Sequence, residues 1–258
     1  PDLGIIIDDL KIDGVNEFEN ITLADIKTIT VSVDLFDALK GEQFEIKSIL
    51  LESPKMYIMY LEDGKANYDI YAIDEEVSEE IDEEIEDTEE TVFVMSLNYF
   101  ETKNASFVYH DLAYDIFMQL KNTDVIMNGT FSENINSITS LVNIGAFDFV
   151  MEGITYMNNG KISGNADMDI DLDTWKFDFK ENNFLLNNMP ISIDGYFTMN
   201  DDDTYDFDMS LVTDKLSFKD LLSLVPAIYK SDMEWLETSG KVAMSAFLKG
   251  KMTDELIP

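Results

Sequence analysis

Between residues 161 and 212 the side chains change character at every second position. Ile162, Gly164, Ala166, Met168, Ile170 and Leu172 are apolar or small, and Ser163, Asn165, Asp167, Asp169, Asp171 and Asp173 between them are polar. Trp175, Phe177 and Phe179 alternate with Lys176, Asp178 and Lys180. Ile191, Ile193 and Phe197 alternate with Ser192, Asp194 and Thr198, and Tyr205, Phe207, Met209 and Leu211 with Asp206, Asp208 and Ser210. A period of two sends successive side chains to opposite faces, so each run predicts a strand with one apolar and one wet face. Turn formers separate the runs: Asn158-Asn159-Gly160, Asp173-Thr174, Asn187-Asn188-Met189-Pro190 and the stretch from Asn200 to Asp203. Connections this short join antiparallel neighbours. The expected object is a meander of long strands, apolar on one side and acidic on the other.

The strand period extends over the rest of the chain. Residues 3–13, 21–33, 44–51, 56–61, 92–97, 105–110, 116–120, 125–131, 147–152 and 242–248 read as strands. Residues 56–61 are apolar on both faces, as in a strand covered twice or lining a cavity. Asp63-Gly64 marks a hairpin turn after them. Helical signals are brief. Asp34 can cap and Gly41 can end a short helix. Ile135, Ile138, Leu141 and Val142 predict a short helix or a bent connection. Ser217 and Asp220 form a capping box for a helix that Pro226 ends or kinks. The fold class expected is all-β: a long antiparallel meander forming a curved amphipathic sheet or groove, with a few short helices. One domain covers 1–258. Within it an N-terminal subregion, 1–73, precedes the main meander, 91–258.

Composition sharpens this picture at three points. Residues 74–90 hold 12 acidic residues out of 17 and predict a flexible, solvated insert between the two subregions. The chain has 53 acidic residues against 17 basic ones, a formal net charge of -36 over 258 residues. Every basic residue is lysine. Nucleic acid is therefore excluded as a partner, since its phosphates need a basic footprint, and anionic headgroups are repelled from most of the surface. With 45% hydrophobic residues the chain has material for a core. There is no cysteine, which excludes disulfides and thiol chemistry. No apolar run approaches the roughly 18 residues of a membrane helix. The chain opens at Pro1-Asp2 without methionine and reads as an excised segment of a longer protein.

Chemistry-bearing motifs are sparse. Asp167, Asp169, Asp171 and Asp173 give a D-x-D-x-D pattern, but apolar residues intervene and neither the turn glycine nor the terminal glutamate of a calcium loop follows. Strand parity accounts for the spacing. His110, the one histidine, stands beside Asp111 as a general base would, yet no nucleophile motif accompanies it. No catalytic residue, metal site or cofactor is expected, and the chain is not expected to be an enzyme.

From residue 23 to residue 71 the order of motifs becomes specific. A strand leads into Val33-Asp34-Leu35-Phe36-Asp37-Ala38-Leu39-Lys40-Gly41, then a strand with Ile46, Ile49 and Leu51, then Ser53-Pro54-Lys55-Met56-Tyr57-Ile58, then Asp63-Gly64-Lys65-Ala66-Asn67-Tyr68. This resembles the N-terminal signature of the AsmA family of Gram-negative envelope proteins, Bacteroidetes-type members included. The residues carrying it are Leu35, Leu39, Gly41, Pro54, Asp63, Gly64, Asn67 and Tyr68, with Tyr68 standing where tryptophan is the commoner choice. Residues 104–111 and 220–226 resemble later family elements. The resemblance implies a periplasmic β-sheet anchored in the inner membrane by an N-terminal helix outside this sequence. It implies a role in outer-membrane homeostasis and biogenesis, with phospholipid or another envelope lipid as partner, its acyl chains held in or conducted along an apolar groove.

Candidate groove-lining residues are Ile162, Met168, Ile170, Leu172, Trp175, Phe177, Phe179, Ile193, Phe197, Tyr205, Phe207 and Met209. The alternative left open by the residues is a closed β-sandwich, structural or adhesive, with an acidic solubilising surface.

Overall fold

The structure, a computed structural model, describes residues 2–34, 45–70, 96–130, 135–200, 204–223 and 239–253. Twelve strands make up nearly all of it. They are β1 (Asp2–Asp13), β2 (Thr22–Asp34), β3 (Glu45–Glu52), β4 (Lys55–Tyr60), β5 (Ser96–Asp111), β6 (Ile116–Thr130), β7 (Ile135–Met151), β8 (Ile154–Asp171), β9 (Lys176–Leu186), β10 (Met189–Met199), β11 (Tyr205–Ser217) and β12 (Lys241–Met252). A 3-10 turn, Asn16–Phe18, joins β1 to β2, and one short helix, α1 (Phe218–Ser223), follows β11. The protein is all-β, as the alternation predicts.

All twelve strands belong to one sheet, ordered β1-β2-β3-β5-β6-β7-β8-β9-β10-β11-β12, with β4 between β2 and β5. From β5 to β12 every connection joins antiparallel neighbours. The exception to antiparallel pairing lies on the N-terminal side. β3 runs parallel to the first half of β5 and β4 parallel to its second half, so β3 and β4 form one line broken at Ser53-Pro54. Among the described residues β1 and β12 are both free edges.

A row of left-handed residues crosses the sheet at about one level. Asp9 in β1, Ser53 between β3 and β4, Asn104 in β5, Asn122 in β6 and Asn159 in β8 all have φ near +50°. Asparagine and aspartate tolerate this conformation best among residues bearing a Cβ. Neighbours in the row touch. Ser53 N–H donates to the Lys103 carbonyl at 2.8 Å, and Asn104 Nδ2 donates to Ser53 Oγ at 3.2 Å. A Cβ on Gly145 in β7 would come within 2.9 Å of Asn122 Cβ, so the row passes through β7 at a glycine. The ladder registers shift here, between Thr102 and Phe107 and between Ile144 and Phe147. Bulges insert one residue, bend the strand and increase its twist. Aligned across strands, they make a crease.

The crease explains where strand reading from sequence went astray. Residues 96–97 of the first run and the run 105–110 are parts of one strand, β5, and 116–120 and 125–130 are parts of β6. Each was split in sequence because the bulge resets the parity. Asn158-Asn159-Gly160, expected as a turn, lies inside β8; the turn before it is Glu152-Gly153, both residues with positive φ. Ile135, Ile138, Leu141 and Val142, expected in a helix or bend, lie in β7, because pairing with β6 and β8 along its length overrides the helical spacing. Trp175 is not a strand residue. It ends the β8–β9 turn with φ 47°. The turn expected over Asp63-Gly64 is a three-residue loop: Gly64 N–H donates to the Leu61 carbonyl at 3.0 Å and Leu61 N–H to the Lys65 carbonyl at 2.9 Å, with Gly64 at φ 83°. The capping box at α1 is present, Asp220 N–H donating to Ser217 Oγ at 3.1 Å. Of the helix expected over 34–41, Asp34 ends β2; the rest, with Leu35, Leu39 and Gly41, and the acidic insert 74–90 lie outside the described residues.

Candidate functional site: an apolar sheet face

Residues directly opposite one another in adjacent strands share a face, so the ladder traces each face from strand to strand. Ile5 lies opposite Val31, Val31 opposite Ile49, Ile49 opposite Phe100, and Phe100 opposite Met127. Met127 lies opposite Ser140 and Ser140 opposite Ala166. Met168, two residues along β8, continues opposite Phe179, then Gly195, Met209 and Leu248. One apolar face therefore runs unbroken from β1 to β12. Across the crease it continues through Phe107, Leu120 and Phe147 on β5, β6 and β7. The bulges keep it continuous although sequence parity slips there.

Ten of the candidate lining residues lie on this face or at its end: Ile162, Met168, Ile170, Phe177, Phe179, Ile193, Phe197, Tyr205, Phe207 and Met209. Phe177, Tyr205 and Phe207 cluster around Phe197, with ring centroids 5.9, 5.8 and 5.1 Å away. Leu172 and Trp175 are in the β8–β9 turn and stand exposed at its rim. The rings and methionines of the face are half-buried rather than sealed. Among the described residues no second sheet lies on them; all twelve strands are spent on one layer. A recess of about 290 Å³, with Ile193, Met209, Leu211, Ala246 and Leu248 in its wall, opens toward the β12 edge. A larger recess of about 680 Å³, between the 3-10 turn and the Lys65–Asp69 corner, mixes Asn16, Glu17, Lys65 and Asp69 with Val15, Phe18 and Ala66 in its wall.

Sequence reasoning missed the β1–β7 half of the face, though Ile29, Val31 and Val33 already alternate with Thr28, Thr30, Ser32 and Asp34. It also missed the polar side chains buried within the sheet. Thr102, Thr123 and Thr213 are buried, their hydroxyls without a partner among the described residues. Asn182 is 1% exposed, and its side-chain oxygen accepts the Asp167 N–H.

The opposite face carries the acid. Asp169 accepts from Ser137 Oγ at 2.6 Å and pairs with Lys180; its carboxyl is held below the usual range by Lys180 first and Ser137 second. Asp178 pairs with Lys176 at 2.9 Å and Asp208 with Lys249 at 2.6 Å. Asp171 accepts the N–H groups of Asp173 and Thr174, and hydrogen bonding from Thr174 lowers its pKa. The D-x-D-x-D pattern is thus spread over a solvated face and a turn. Among the described residues no group of acidic or imidazole side chains is placed to hold a metal ion.

The motif residues of the first hairpin form a clip. Asn67, 1% exposed, accepts the Met59 N–H at 2.9 Å and donates to the Tyr57 carbonyl at 2.6 Å. The Tyr68 and Tyr60 hydroxyls lie 2.7 Å apart, and this bond, with burial, pushes the Tyr60 pKa up to about 12. Asp63 accepts the Lys65 N–H, and the Pro54 carbonyl accepts the Ser106 N–H at 2.8 Å. These residues fasten β4 to its neighbours, and the Tyr60–Tyr68 pair stands at the end of the apolar face, the Tyr60 ring 5.8 Å from that of Tyr109. His110 Nδ1 lies 3.1 Å from the Tyr57 hydroxyl, and its ring is edge-on to Phe117.

Comparison with family models, with curated proteins and with solved structures gave no match to this chain.

Proposed function

We propose that this chain is a lipid-holding segment of an AsmA-like envelope protein, in which acyl chains lie on the apolar face and headgroups stay toward water. The observation that carries the reading is the single-layer sheet whose apolar face runs from Ile5 to Leu248 without a covering layer among the described residues. Burial of such a surface is worth ~25 cal/mol per Å², and no directional contact is needed to collect it. Strands of 11 to 18 residues from β5 to β12 extend for roughly 35–60 Å at the strand rise, longer than the roughly 30 Å hydrocarbon thickness of a bilayer. A face of uniform character lets a chain slide without a deep minimum, which suits conduction between the inner and outer membranes. The order of motifs in residues 23–71 supports the family setting, and with it a periplasmic location and an inner-membrane anchor.

The test is direct. Protein purified from a Gram-negative host is extracted and its lipids are identified by mass spectrometry, and delipidated protein is offered vesicles containing a fluorescent phospholipid. Stoichiometric acyl lipid and uptake from vesicles are expected. Protein that carries none and takes up none overturns the reading.

A further inference from the structure

The two edges of the sheet fit each other. β1 and β12 are each 12 residues long, and among the described residues each pairs on one side only. Natural edge strands are guarded by lysine, proline, bulges or brevity. β1 has Leu3, Ile5, Ile6 and Ile7 exposed, Ile6 at 65%, and its left-handed Asp9 comes only after this apolar run. β12 has Met244, Phe247 and Leu248 exposed, Phe247 at 78%.

Three features say what covers these edges. The first is direction: through the alternation of the ladder β12 runs opposite to β1. A second copy placed beside the first, with the same face forward, therefore sets its β1 antiparallel to β12. The second is face: Leu3, Ile5 and Ile7 share the apolar side with Met244, Ala246 and Leu248. The third is charge. In a chain of net charge -36, β12 carries three lysines and no acid, while β1 carries four aspartates and one lysine.

We propose that β12 of one copy pairs with β1 of the next, antiparallel and head to tail, so that the sheet and its apolar face continue from copy to copy. The register that sets Leu248 opposite Leu3, Ala246 opposite Ile5 and Met244 opposite Ile7 matches three apolar pairs on the inner side. On the outer side it sets Phe247 beside Gly4, where a Cβ would meet nothing within 4 Å, so the ring has room to lie over the strand. The contact uses two different surfaces, so it does not close at two copies but adds them in a row. It stands independently of any lipid.

Light scattering over a concentration series should show the mean mass rising past that of a dimer. Raising salt from low to physiological strength should strengthen association, because screening relieves repulsion between whole copies more than it weakens contacts at the edge. The chain has no cysteine, so single-cysteine variants report the register. Met244→Cys mixed with Ile7→Cys should give a disulfide-linked pair under mild oxidation, in excess of Met244→Cys mixed with Leu3→Cys. Circular dichroism confirms that each variant is folded. A constant monomer mass at every concentration overturns the proposal. So does equal yield from matched and mismatched mixtures, or Ile7→Cys linking to itself better than to Met244→Cys.

Discussion

The parallel pairing of β3 and β4 with β5 imposes a length on the chain between them, and deletion of residues 74–90 tests it. The Asn67 N–H is bonded to the Met59 carbonyl, and Met59 lies opposite His110. Ser96, where β5 begins, lies opposite Glu45 at the other end of the line. Fourteen residues of β5 separate Ser96 from His110, which at the strand rise is ~46 Å. The wild-type chain has 29 residue steps from Asn67 to Ser96, and the deletion leaves 12. Twelve steps reach at most ~43 Å when fully extended, which leaves no slack over this span even when the bulge at Asn104 shortens it. Ten added Gly/Ser residues bring the reach to ~75 Å. The bare deletion should therefore lose either the β3–β5 pairing or the Asn67 clip, seen as a broadened thermal transition and as fast amide exchange in Glu45–Glu52. The variant with the ten-residue linker should melt cooperatively near the wild-type temperature, since a segment this acidic has few residues able to pack. A bare deletion that melts like the wild type, with β3 still protected, would refute the topology from which the length is worked.

Three further outcomes follow from the same geometry. Gly195→Ala should destabilise by about 1–3 kcal/mol in denaturant titration, because Gly195 has φ 118° and a Cβ there would meet the Asp208 carbonyl oxygen at 2.0 Å; an unchanged midpoint would contradict the β10–β11 register. Met168→Asp and Phe207→Asp, on the half-buried apolar face, should abolish lipid uptake while at least one of them stays folded, whereas Asp169→Lys and Asp208→Lys on the other face should retain uptake. Unfolding of both aspartate variants would mean that the face is sealed. Acid should weaken the fold: Glu101, Asp169 and Asp171 are held below the ordinary carboxylate range, chiefly by Lys103, Lys180 and Thr174 respectively. A depressed folded pKa gives stability that is complete above the unfolded value, ~4, and is lost as pH falls through the folded one. Melting temperatures should fall below that point, and a steady rise down to pH 3 would show that relief of self-repulsion dominates instead.

Much of this sheet was legible in sequence because a half-exposed strand writes its burial at period two. The meander from β8 to β11, with its acidic face and its Asp173-Thr174 and Asn187-Asn188 turns, is where the alternation is purest. What stayed illegible has two physical sources. The first is the left-handed bulge. Asn104, Asn122 and Asn159 look like turn residues because the same tolerance of positive φ serves turns and bulges alike, and only the pairing partner decides between them. The second is topology. Nothing local in Glu45–Glu52 says that its neighbour is β5 in parallel, since that is set by what remains unpaired once β2 is placed. Of the candidate face, ten of the twelve named positions follow from parity. Leu172 and Trp175 leave it because Asp171 accepts two turn N–H groups and ends β8 there.

A one-layer sheet with an apolar face has three ways to cover it: folding over on itself, stacking face to face with a second copy, or taking up an amphiphile. The first is not seen among the described strands. The second and third are rivals, and charge bears on them differently. Face-to-face stacking brings two copies of charge -36 within about 10 Å of one another, near the ~8 Å screening length at physiological salt, so each copy feels much of its partner's field. An amphiphile whose headgroup stays at the rim covers the same area without adding a second acidic protein. Stacking is also self-complementary and stops at two copies, while edge pairing between β12 and β1 is head to tail and does not stop at two. Removal of lipid therefore separates the cases. If the apolar face needs a cover, delipidated protein should pass to a closed dimer that lipid reverses, and the edge contact should be indifferent to lipid. If delipidated protein keeps its mass and its stability, the face needs no cover, and the half-burial of Phe177, Phe197 and Phe207 by one another is sufficient.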